Sequence, residues 1–114
     1  IQSAAELGQE WAGTRDIEEV KEILTTAVCD FLKVVRNSNP TAQIIWGYGM
    51  LGDNFLSVIR EAVESYAKNT ADSRIHFLQL PDTTSDTVGS RLHPGVKAHR
   101  NVAQILEEYL KKIL

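Results

Sequence analysis

The sequence predicts an α/β fold: a doubly wound, three-layer arrangement around a parallel sheet, of which this chain carries only part. Three observations lead there. Segments with apolar residues at three- and four-residue steps alternate with short, nearly continuous apolar runs, the order that builds parallel strands joined by helical crossovers. The two clear runs, 43–48 and 74–80, are few for such a sheet, which needs cover on both faces and protection at its edges. A polar loop then leads through His93-Pro94 into a last amphipathic stretch. Further strands are therefore expected, either from the same gene or from a partner chain.

Taken in order, Ala4-Ala5-Glu6-Leu7-Gly8 reads as the end of an earlier strand, and Gly8 and Gly13 bracket a loop. Asp16 and Glu19 form a capping box that opens a helix to about Arg36. Its inner stripe is Ile17, Val20, Ile23, Leu24, Ala27, Val28, Phe31, Leu32 and Val35. Asn37-Ser38-Asn39-Pro40 stops it, because proline lacks a donor and disfavours a helical residue before it. Gln43-Ile44-Ile45-Trp46-Gly47-Tyr48 suits a strand covered on both faces. Asp53 can cap the next helix, which presents Phe55, Leu56, Ile59, Ala62, Val63 and Tyr66 and ends near Lys68. Arg74-Ile75-His76-Phe77-Leu78-Gln79-Leu80 is the second strand, closed by Pro81. Pro94 suits the first helical position, and Val96, His99, Val102, Ile105, Leu106, Tyr109, Leu110 and Ile113 form the inner stripe of the last helix.

Composition narrows the function classes. The 114 residues suffice for one domain or a piece of one. A formal charge of −3 without a Lys/Arg run argues against a nucleic-acid-binding face. No apolar run approaches the roughly 18 residues of a membrane span. The lone Cys29 permits no internal disulfide and reads as a buried, inert thiol within the first helix. The chain starts at Ile1 without a signal-peptide pattern, as expected of a processed product or a piece of a longer protein, and its compartment stays open.

Ligands of open α/β sheets bind outside the carboxyl ends of the strands. Three stretches fall there: Gly8-Gln9-Glu10-Trp11, Tyr48-Gly49-Met50-Leu51-Gly52, and the loop 81–93. His93 precedes a helix whose positive end favours a neutral imidazole, the form a general base requires. Tyr48, Met50 and Leu92 are candidates to line a pocket beside it. A His-Pro pair at a helix start is also a common turn, so His93 has a plain structural reading as well. His99 lies on the inner stripe and reads as packed, and His76 reads as structural or edge-exposed. Six positions separate His93 from His99, which puts them on different sides of a helix and argues against a zinc pair. Glu10, Asp82 and Asp86 are loop acids whose default is solvation. The chain holds no convincing nucleophile, and no cofactor or metal is called for.

His93-Pro94 with His99, after a strand and a polar loop, resembles the last signature block of the SGNH (GDSL-type) hydrolases. The stretch Asn39-Pro40-Thr41-Ala42-Gln43-Ile44-Ile45-Trp46-Gly47-Tyr48-Gly49-Met50-Leu51-Gly52 is similar to the middle of carbohydrate esterase family two, acetyl esterases acting on plant polysaccharides. The resemblance covers about residues 16–114. It implies that the chain is the C-terminal portion (1–114) of a catalytic domain that removes acetyl groups from an acetylated carbohydrate. His93 would be the base for a serine in an upstream Gly-Asp-Ser block, and an upstream glycine would help to hold the oxyanion. It allows a secreted or a cytoplasmic protein. The family pattern is broken in two places. An aspartate commonly stands two or three residues before the histidine, where this chain has Arg91 and Ser90; some members instead orient the histidine through a backbone carbonyl. The family's Gly-x-Asn-Asp block falls near Leu7-Gly8-Gln9-Glu10-Trp11, with Glu10 at the asparagine position. A shifted register, a divergent N-terminal segment and a degenerate site each account for that. The alternatives are a catalytically inactive, esterase-like module that binds carbohydrate or protein, and a small flavodoxin-like domain. The latter finds no phosphate-cradling glycine loop here.

Overall fold

In the computed structural model, which describes residues 17–50 and 55–114, the helices and strands follow in the expected order. Helix α1 spans Ile17–Ser38, strand β1 Ile44–Tyr48, helix α2 Leu56–Asn69, strand β2 Ile75–Gln79 and helix α3 Val96–Ile113. The two strands pair. The Ile44 N–H donates to the Arg74 carbonyl and the Leu80 N–H to the Tyr48 carbonyl, each at 2.8 Å. The paired positions rise together along both strands, so the sheet is parallel and β1–α2–β2 is a crossover unit. The strand end expected at 4–8, the Asp16 half of the capping box, Glu10 and the Asp53 cap lie outside the described residues. Phe55 stands at the α2 cap position without a side-chain hydrogen bond.

Two compact units divide the strands between them. The first is Ile1–Ile44 with Asn54–His76. Here α1 packs along α2, and the enclosed side chains are Val28, Leu32, Ile59, Ala62, Val63 and Ile75. Five of these six come from the predicted helix stripes. Enclosing a Leu or Val side chain stabilises by about 1.5–3 kcal/mol. The α1 stripe is narrower than expected: Ile17 is 66% and Phe31 58% exposed, and Cys29 is half-buried rather than enclosed. The physical reason is geometric. One neighbouring helix covers only a strip around Val28 and Leu32, whereas the apolar residues of α1 spread over a wider arc.

The amino ends of both strands are tied by one guanidinium. Arg36 Nε donates to Asp72 Oδ2 at 2.7 Å and Nη2 to Asp72 Oδ1 at 3.1 Å. Nη1 donates to the carbonyls of Asn39 (2.9 Å) and Ala42 (2.7 Å), and Nη2 also reaches the Arg74 carbonyl at 3.4 Å. These contacts occupy all five N–H donors of the planar fork, which a lysine could not match. Asp72 in turn accepts the Arg74 N–H at 3.0 Å. The Asp72 side chain is 16% exposed, and its carboxyl is held below its ordinary value, first by the Arg36 hydrogen bonds, against an opposing push from burial. The same residue closes α2. The Asp72 N–H bonds the Ala67 carbonyl (2.8 Å) and the Ala71 N–H the Lys68 carbonyl (3.1 Å), the paired bonds of a Schellman stop. Ala71 takes the left-handed position, φ 51°, that glycine usually fills there.

The second unit is Ile45–Asp53 with Phe77–Leu114. Within it α3 encloses Ala98 and half-buries Val102, Ile105, Tyr109, Leu110 and Ile113. Three members of the predicted stripe fall outside that face, for Val96 is 73% exposed and His99 and Leu106 are exposed. The helix begins later than predicted, with Gly95 at the cap and Val96 as the first helical residue. Pro94 does not open it; it pairs with Val88 in an isolated antiparallel bridge. The cover expected over the strands is also partial. No β1 residue is buried, and in β2 only Ile75 is.

Candidate active site

The carboxyl ends of β1 and β2 lie in the second unit, and backbone hydrogen bonds shape them. After Tyr48 the chain passes through Gly49 at φ 146° and Met50 at φ 74°. A β carbon at Gly49 would run into the Leu80 carbonyl, so the two strand ends can approach closely only with glycine there. The Met50 carbonyl accepts the Thr83 N–H at 3.1 Å and, by a short contact, the Thr83 hydroxyl. A methionine in the left-handed region is held against a cost of about 1–2 kcal/mol, and such outliers gather at functional sites. Tyr48 and Met50, both half-buried, are thus brought together beside residues 80–83.

His93 is presented by the next loop. A turn joins Thr84 to Thr87 and Val88, with the Thr84 N–H on Thr87 Oγ1 at 2.8 Å and the Val88 N–H on the Thr84 carbonyl at 2.9 Å. The chain then folds back on itself through the short turn Ser90–Leu92, in which Arg91 is left-handed at φ 56°, ψ 35°. Both backbone groups of His93 are tied. Its N–H donates to the Ser90 carbonyl at 3.1 Å, and its carbonyl accepts the Gly89 N–H at 2.7 Å. The Gly95 N–H donates to the Thr87 carbonyl at 2.9 Å and closes the loop before α3. The imidazole stands exposed, and among the described residues no group hydrogen-bonds it. His93 therefore lies on an extended backbone (φ −82°, ψ 161°) two residues ahead of the helix cap, rather than directly against the helix start.

The other sequence candidates fall out as follows. Leu92 belongs to the Ser90–Leu92 turn. His76 is half-buried, with its Nε2 2.8 Å from Gln43 Oε1, in keeping with a structural role. Asp82 Oδ1 accepts the Thr83 N–H at 2.9 Å, and Asp86 is exposed. Among the described residues no group of three or more His, Cys, Asp or Glu side chains could hold a metal ion, and no helix is long and apolar enough to cross a membrane. A groove of about 860 Å³ between the starts of α1 and α2, lined by Glu18, Lys21, Glu22 and Glu61 among others, includes none of the candidate site residues. Sequence reasoning missed Thr83, whose contact with Met50 spans 33 positions, and missed the pairing of Gly89 with Gly95. The run Thr83-Thr84-Ser85-Asp86-Thr87, rich in hydroxyls that bond nearby backbone, was the available signal.

No family model and no curated protein matches the chain. Among solved structures it is similar to an acetyl xylan esterase from the rumen bacterium Butyrivibrio proteoclasticus, with 43% identity and a TM-score of 0.79. The match covers 83% of this chain and 26% of that esterase, so the chain spans about a quarter of its length. Over the matched stretch, this chain has part of an esterase-like α/β fold.

Proposed function

We propose that this chain is the C-terminal portion of the catalytic domain of an SGNH-type carbohydrate acetyl esterase, in which His93 is the general base. The observation that carries this reading is the His93 loop. Its backbone is tied at both sides while its imidazole is left exposed, in the same unit as the carboxyl ends of the strands. The likeness to an acetyl xylan esterase supports the substrate class, an acetylated carbohydrate. His93 would take the proton of a serine hydroxyl supplied from outside these 114 residues. The serine oxygen then attacks the acetyl carbonyl, and the bond from that carbon to the sugar oxygen breaks as the imidazolium protonates the departing oxygen. A water deprotonated by the same imidazole releases acetate from the acetyl-serine and restores the hydroxyl. Tyr48, Met50 and Leu92 would line the pocket. Further strands beside β1 and β2 would supply the cover that the half-buried strand residues lack.

The test is His93→Ala in the intact protein. Turnover of acetylated xylan and of 4-nitrophenyl acetate should fall by about 10²–10⁴-fold, with the melting temperature unchanged. Unchanged turnover would sink the reading. A second reading, an inactive module that binds carbohydrate or protein, is favoured by Ser90 and Arg91 standing where an acid is usual and by the absence of a described partner for the ring. It predicts retention of acetylated xylan on an affinity gel without any release of acetate.

A further inference from the structure

We propose that Gly89 and Gly95 are positioning residues for His93: they close a backbone neck that has no room for a β carbon at Gly89 and only a tight fit for one at Gly95, and that neck sets where the imidazole stands. This rests on the reading of His93 as the base. Around the neck, Val88 pairs antiparallel with Pro94, the Gly89 N–H bonds the His93 carbonyl at 2.7 Å, and the Gly95 N–H bonds the Thr87 carbonyl at 2.9 Å. A β carbon on Gly89 would lie 2.8 Å from the Gly95 Cα and 3.3 Å from its nitrogen. One on Gly95 would lie 3.1 Å from both the Gly89 nitrogen and the Thr87 carbonyl oxygen. All of these obstacles are backbone and cannot swing aside as a side chain can.

Dihedral freedom is not what demands glycine at these two positions. Gly89 sits at φ −113° and Gly95 at φ −92°, both on the negative side open to any residue. The demand is for space alone. His93 is tied into this neck by its own carbonyl, so a neck forced open displaces it. Among the described residues no acid or carbonyl holds its ring, and Arg91 and Ser90 occupy the places where an orienting aspartate is usual. The closed neck thus does from the backbone what a carboxylate does from a side chain: it limits the positions from which the base can reach a proton.

The experiment compares Gly89→Ala, Gly95→Ala and His93→Ala in the intact protein, with kcat and KM for 4-nitrophenyl acetate, the pH profile of kcat/KM and the melting temperature. Displacement of about 1 Å lowers kcat by about 10²-fold, the loss expected for Gly89→Ala. Gly95→Ala, whose contacts are looser, should lose about tenfold on the same scale. KM and the midpoint of the acid limb should stay as in the parent, because the base is moved and not removed. A purely structural role would instead lower the melting temperature and the active fraction while leaving kcat per active site unchanged. Should Gly89→Ala melt well below the parent, Gly95→Ala decides by the same split. Parent-like kcat in the folded glycine variants, with His93→Ala inactive, overturns the neck and leaves the base assignment standing. Parent-like turnover in His93→Ala overturns both.

Discussion

The two ends of the β1–β2 strand pair are built by opposite means. At the amino ends, side chains do the tying, with the Arg36 fork on Asp72 and on the carbonyls of Asn39, Ala42 and Arg74. Every Arg36 donor is used, and the one left-handed residue beside it, Ala71, serves only to close α2. At the carboxyl ends, the ties are mainly backbone to backbone. Met50 and Arg91 are held left-handed, and His93 is exposed. The amino ends spread charge over fixed partners and leave nothing able to react. The carboxyl ends accept strained dihedrals, and among the described residues no group engages the His93 imidazole. In the role proposed for His93, a base saturated with partners could not exchange protons, so the stabilising ties are best placed elsewhere.

That contrast can be broken by mutations that should each affect one end alone. The largest effect expected is on activity: His93→Ala should remove nearly all ester turnover while urea unfolding curves overlay those of the parent. Asp72→Asn should do the reverse, lowering stability by about 2–3 kcal/mol because a part-buried guanidinium loses its counter-charge, with kcat unchanged below the melting range. The pH dependence follows in sign. The folded Asp72 carboxyl titrates below its ordinary 3.8, so its contribution is complete above that value and is lost as pH falls through the lower folded value. Acid unfolding followed by circular dichroism should therefore be steeper below pH 3.8 in the parent than in Asp72→Asn. If the two acid limbs coincide, the ion pair does not hold the amino ends. Arg36→Lys keeps the charge and loses the fork, and about 1–2 kcal/mol should go with the unmade hydrogen bonds. Smallest is Ala71→Gly, which relieves the left-handed position at the end of α2. A gain of up to about 1 kcal/mol in urea unfolding is expected, with esterase activity untouched.

Much of the fold was legible in the chain because it depends on local order. The apolar runs at β1 and β2 and the periodic stripes that enclose Val28, Leu32, Ile59, Ala62 and Val63 are set by neighbours a few residues apart. The His93-Pro94 loop could be recognised as special by the same local reading. Its mechanics could not. Pro94 looked like the first residue of a helix because proline fits that place, yet it forms a bridge with Val88 instead, and the helix waits for Gly95. Likewise Val96 and His99 fit the apolar period of α3 but lie exposed, since a period fixes the angle between residues and not which face finds a neighbour.

By itself, then, the sequence determined the element order, the parallel α/β class and the candidate base His93, all of them consequences of local pattern and residue chemistry. Only the tertiary structure decided that Arg36 reaches Asp72 across 36 positions, that Thr83 holds the Met50 carbonyl, and that Gly89 meets Gly95 too closely for a side chain. Those contacts join residues whose separation along the chain carries no periodic signal. They form because folding brings the segments together, and hydrogen bonds and steric limits then act over distances of about 3 Å.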